Sequence, residues 1–86
     1  MSYRIFFTPY SRKQFEKLPF EMQQRIRKAL DRIKIRPKHF LLKLVYQNGY
    51  RFRVGDYRII LEIQEDKLIL LVIKIAHRKV VCRSKN

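Results

Sequence analysis

Two runs of alternating residues, Tyr50–Val54 and Tyr57–Ile63, flank the dipeptide Gly55-Asp56. A period of two is the signature of a strand with two unlike faces. It puts Tyr50, Phe52 and Val54 on one side and Arg51 and Arg53 on the other. Gly55-Asp56 is a tight-turn signal, so the chain reverses there and lays the second run beside the first. In that second run Tyr57, Ile59, Leu61 and Ile63 make the better core face, leaving Arg58, Ile60 and Glu62 opposite. Arg51, Arg53 and Arg58 therefore fall on one face of neighbouring strands. Two readings stand side by side. The arginines solubilise an exposed sheet, or they share an anion, since a guanidinium binds phosphate through two parallel hydrogen bonds.

The rest of the chain supplies a cover for one face. Ser2–Thr8 reads as a first strand with Tyr3, Ile5 and Phe7 on one side, ended by Pro9. Thr8, or alternatively Ser11, caps a short helix with core contacts at Phe15 and Leu18. Leu18-Pro19 breaks it. A second helix fits Phe20–Arg36, with Met22, Ile26, Ala29/Leu30 and Ile33 forming an apolar stripe on an otherwise basic surface. Pro37 stops it, and Lys38–Phe40 is expected as a loop. From Leu41 the period returns to two through Tyr46, and Gln47-Asn48-Gly49 is a turn. After the hairpin comes a turn at Gln64–Lys67. Leu68–Ala76 follows, almost continuously apolar and expected as the central strand. The order is strand, two helices, meander. This is an α+β fold, read as one domain over residues 1–86, with the helical hairpin on one face of a mostly antiparallel four- to five-stranded sheet.

Charge is the second constraint. The chain carries 21 Lys+Arg against 7 Asp+Glu, a formal +14. No acid occurs between Arg32 and Gly55, and none follows Asp66. Such a surplus on 86 residues favours a polyanionic or acidic partner over an isolated body that repels itself. With 47% hydrophobic residues the chain has too much apolar content for a disordered tail. The lone Cys82 makes no internal disulfide, consistent with a cytoplasmic location. No signal peptide is visible, and no apolar run approaches the ~20 residues of a membrane helix.

Other groups give weaker signals. His77 is either a proton-transfer group or a strand-end residue. His39 reads as a surface loop residue. His39, His77 and Cys82 make no metal pattern, and no Gly-rich phosphate loop is present. Glu62, Glu65 and Asp66 read as turn charges rather than as ligands. No metal or cofactor is expected.

The segment Tyr50-Arg51-Phe52-Arg53-Val54-Gly55-Asp56-Tyr57-Arg58 and the later Ile75-Ala76-His77-Arg78-Lys79 resemble the RelE/ParE toxin superfamily. The likeness covers nearly the whole chain and is greatest to the RelE-type mRNA interferases. It implies the toxin of a type II toxin–antitoxin system, neutralised by an acidic, RelB-like antitoxin that folds on binding. It also implies cleavage of mRNA in the ribosomal A site. The family's active face carries two basic residues on one strand, an arginine on the next, an arginine after the last long strand, and a C-terminal tyrosine. These fall on Arg51 and Arg53, Arg58, Arg78, and Cys82. The last is a departure from the pattern.

That departure bears on the chemistry. Metal-independent cleavage requires the RNA 2′-OH to attack the adjacent phosphate. One group accepts a proton, another protonates the leaving 5′-oxygen, and cations stabilise the added charge. Arg51, Arg53, Arg58 and Arg78 suit the last task. Arginine stays protonated and is a poor base, so the proton transfers would fall to His77, Tyr57 or Cys82, or else the rate rests on positioning and charge. Two alternatives use the same scaffold: a ParE-like inhibitor of DNA gyrase and a non-catalytic nucleic-acid-binding module.

Overall fold

Proline sets the first boundaries. β1 (Arg4–Phe7) ends just before Pro9, which has no N–H to extend a ladder and serves instead as the first residue of α1 (Pro9–Glu16). The Thr8 hydroxyl caps α1 by accepting from the Ser11 N–H. α2 (Phe20–Ile33) begins after Pro19 without a side-chain cap. Here the Gln23 side chain closes the turn between the helices, donating to the Phe15 and Leu18 carbonyls at 3.2 and 3.0 Å. The computed structural model describes residues 2–44 and 49–77. No helix among them is long and apolar enough to cross a membrane.

A short α3 (Pro37–Phe40) stands where a loop was expected. Pro37 occupies its first turn, where a missing N–H costs nothing, and the Leu41 N–H closes the turn onto the Pro37 carbonyl at 3.0 Å. The strand expected from Leu41 reduces to β2 (Leu42–Lys43); its expected end at Tyr46 lies outside the described residues. β3 (Tyr50–Val54), β4 (Tyr57–Gln64) and β5 (Ile69–His77) complete an α+β fold with helices packed on a five-stranded sheet.

The sheet runs in the order β1-β5-β4-β3-β2. Only β1 and β5 are parallel. The middle place belongs to β4, not to the apolar run of β5. β5 lies one strand from the edge, because β1 returns beside it. On the covered face Ile59, Leu61, Leu70, Val72 and Ile75 pack with Ile26, Leu30 and Ile33 of α2 and Phe15 of α1. Ile5 and Phe7 of β1, with Tyr3 just before it, join that core on the side expected of them.

β5 carries one irregularity. Ile60 pairs with Lys74 and the next residue, Leu61, pairs with Val72, so Ile73 is an extra residue without a partner on β4. β1 has already turned away at this level, and α1 takes over its neighbouring role. The Thr8 N–H and the buried Ser11 hydroxyl meet the Val72 carbonyl at 3.1 and 2.7 Å. The Thr8 hydroxyl lies 3.3 Å from the Ile73 carbonyl. The Gln14 side-chain oxygen accepts from the Ile75 N–H at 2.7 Å. Backbone groups exposed by the departing strand are thus satisfied by helix side chains.

Candidate functional site

The hairpin turn positions the arginines. Gly55 has φ of +58°, and among the described residues outside glycine only Leu68 has positive φ. A left-handed first turn residue followed by an ordinary Asp56 is the type II′ arrangement, whose twist suits adjoining strands. It aligns Val54 with Tyr57 and therefore Arg53 with Arg58. Arg51 sits one same-face position further along β3, opposite Ile60 on one side and Leu42 on the other.

The open face therefore holds Arg51, Arg53 and Arg58 together. Arg51 and Arg53 are exposed and Arg58 is half-buried. Like charges directly across a strand pair destabilise a sheet. No ion pair among the described residues joins them to a carboxylate: those pairs are Arg12–Glu16, Lys34–Asp31 and Lys38–Glu65, and Glu62, on the same face beyond Ile60, accepts from the Gln64 side chain. The face therefore concentrates guanidinium donors on neighbouring strands.

The register treats the other expected site residues differently. Ala76 lies across from Arg58, and His77 lies across from Tyr57. Strand alternation puts His77 and Tyr57 on the helix-covered side, away from the arginines. Their rings meet edge-on, 4.9 Å between centroids and 89° between planes. The structure thus groups the three arginines but does not bring His77 onto their face. Arg78 and Cys82 lie outside the described residues.

Sequence reasoning missed one cation. Lys74 is exposed and pairs with Ile60, which pairs with Arg51. Simple alternation through Leu70, Val72, Lys74 and Ala76 would have assigned Lys74 to the core. A lysine at a core position was the available signal that the strand slips phase before it.

A groove of about 760 Å³ lies elsewhere. It runs between β1 and the helical hairpin, with Phe7, Phe15 and Leu30 in its lining and Arg12, Arg27 and Lys28 beside them. Arg27 lies over the Phe15 ring, 5.3 Å from its centroid. Arg51, Arg53 and Arg58 line neither that groove nor the smaller one beside α3. No three His, Cys, Asp or Glu side chains among the described residues are grouped to hold a metal ion.

Comparisons with known proteins agree on the fold. The structure is similar to a chain of the toxin–antitoxin complex RelBE2 from Mycobacterium tuberculosis, with a TM-score of 0.83 and 21% identity over 91% of this chain and 100% of that one. It is also similar to a chain of the archaeal RelE–RelB complex from Pyrococcus horikoshii OT3, with a TM-score of 0.73 and 25% identity over 91% and 97%. The isolated RelE toxin of E. coli matches with a TM-score of 0.74 and 18% identity over 98% and 96%. No curated protein sequence matches the chain. The family model described as the ParE toxin of type II toxin–antitoxin systems, parDE, matches residues 5–81. The chain belongs to that toxin family, within the RelE/ParE superfamily.

Proposed function

We propose that this toxin is a ribosome-dependent mRNA endonuclease whose open sheet face grips and cleaves the RNA backbone. The observation that carries the reading is the pairing of Arg53 with Arg58, with Arg51 adjacent, on a face with no carboxylate bridged to them. When a 2′-OH attacks the neighbouring phosphate, negative charge accumulates on the phosphoryl oxygens. Fixed guanidinium donors stabilise that charge more than they stabilise the ground state, which is what acceleration requires. Arg78, just past the end of β5, is proposed as the fourth cation.

The three arginines supply charge and orientation but stay protonated and are poor bases. His77 sits on the covered side against Tyr57, so the proposed catalysis leans on the arginines, and the ribosome or the RNA completes the proton transfers. The proposed partner is an acidic antitoxin segment that folds as it binds. The basic groove beside β1 is one surface that suits it.

Purified protein added to translating ribosomes is expected to leave cuts within mRNA codons at the A site. Arg53→Ala with Arg58→Ala is expected to abolish them. Full cleavage by that double variant would refute the site. The family match is to a ParE model, so inhibition of DNA gyrase is the competing function. A supercoiling assay with purified gyrase separates the two: the nuclease reading expects no inhibition.

A further inference from the structure

The extra residue in β5 reverses the strand's facing, and this changes which side chains share the arginine surface. Before it, Leu70 and Val72 face the core and Leu71 pairs with Glu62 on the open side. After it, Ile75 is buried, and Lys74 and Ala76 pair with Ile60 and Arg58. Without Ile73 as an extra residue, regular alternation would turn Lys74 into the helix-packed core. A buried, unpaired ammonium there would be costly. With it, Lys74 stands in the row Arg51–Ile60–Lys74, adjacent to the row Arg53–Arg58–Ala76.

The bulge is built rather than incidental. Thr8, Ser11 and Gln14 hold the backbone groups on both sides of Ile73, and Ser11 is the one buried polar side chain among the described residues. Lys74 itself is exposed and takes part in no ion pair with a described residue. Two strand spacings, about 10 Å, separate it from Arg51. Arg58 is nearer, diagonally across the strand pair, so a phosphate held between Arg51 and Arg53 leaves Lys74 available to a neighbouring one on the Arg58 side.

We propose that Lys74 binds a second phosphate of the RNA strand held by the arginines, and that the Ile73 bulge exists to bring it to that face. The proposal rests on the reading of the open face as an RNA-binding surface. Lysine suits the role as a mobile point charge, in contrast to the forked geometry needed at the reacting phosphate.

The test is binding of a 2′-deoxy-substituted, uncleavable single-stranded oligonucleotide, followed by fluorescence anisotropy across a range of salt. Each phosphate contact on a single strand contributes about 0.7 to the slope of log affinity against log salt. Lys74→Gln is expected to lower the slope by about that amount with thermal unfolding unchanged. Lys74→Arg is expected to restore it. Lys13→Gln, on the exposed side of α1, is expected to leave it alone. An unchanged slope in Lys74→Gln overturns the proposal, as does an equal loss in Lys13→Gln, which would mark diffuse attraction. Arg58→Ala is the reference. If it lowers the slope and Lys74→Gln does not, only the role of Lys74 fails. If neither does, the open-face reading fails with it.

Discussion

The two faces of one sheet obey different rules. On the covered face, Ile59, Leu61, Leu70 and Val72 are fully buried against α2. On the open face of the same strands, Arg53 opposes Arg58 and Lys74 stands beyond Ile60. Alternation lets a single β4 serve both: Ile59 and Leu61 anchor the fold while Arg58 and Ile60 sit between them. On the proposed reading, stability and function are separated by direction rather than by distance along the chain. Substitutions on the two sides should separate in the same way.

The largest effects should come from breaking that division on each side. Leu61→Ala, in the middle strand, is expected to lower unfolding free energy by about 2–5 kcal/mol, since it leaves a cavity in a packed core. Stability of such domains is only about 5–15 kcal/mol, so denaturant titration should show a near-collapse. Arg58→Ala is expected to lower ribosome-dependent cleavage about 10²–10³-fold, the scale for losing a donor to developing charge. Its thermal midpoint should stay level or rise slightly, because one of two opposed arginines is gone.

Smaller effects sharpen the boundary. His77→Gln is expected to reduce cleavage far less than Arg58→Ala. The pH–rate profile should keep the parent's shape in the His77→Gln variant. A profile governed by His77 would bring it back into the chemistry. Gly55→Ala is expected to cost about 1–2 kcal/mol of stability, since a left-handed alanine is strained. Its Cβ would lie 3.2 Å from the Arg25 guanidinium, a flexible end that yields. Both hairpin register and cleavage should weaken together.

Smallest is the surface pair that ties α3 to the turn after β4. Its hydrogen bond to Glu65, with their mutual attraction, raises the Lys38 pKa. A raised folded value means that the pair contributes fully below the unfolded pKa near ~10.4. That contribution fades as pH climbs through the folded value. Both side chains are exposed, so Glu65→Gln should leave the thermal midpoint near neutrality within scatter.

Much of this architecture is legible in the order of residues. Gly55-Asp56 between two alternating runs has one good solution, and the predicted range Tyr50–Val54 matches β3 at both ends. The stripe Met22–Ile33 identifies the buried side of α2 because a helix repeats its facing every three to four residues. Three elements were less legible. Pro37 marks a helix stop and a helix start equally well, so α3 was hidden behind it. The place of β5 depended on β1 returning parallel to it, a long-range pairing that local periodicity does not encode. Lys74 drew no reading, because alternation from Val72 would turn it into the core, and the groups that stabilise the interruption at Ile73, Ser11 and Gln14, lie about 60 residues earlier in the chain. For the candidate site, alternation alone grouped Arg51, Arg53 and Arg58. His77 was separated from them by strand phase, which only the register reveals.

On the proposed reading the arginine face acts on RNA and contributes nothing to holding the fold. Its most direct test is a paired measurement on Arg53→Ala/Arg58→Ala: thermal unfolding and ribosome-dependent mRNA cleavage from the same preparation. The expected result is an unfolding midpoint equal to or above the parent's, with cleavage abolished. A lowered midpoint with cleavage retained would contradict it.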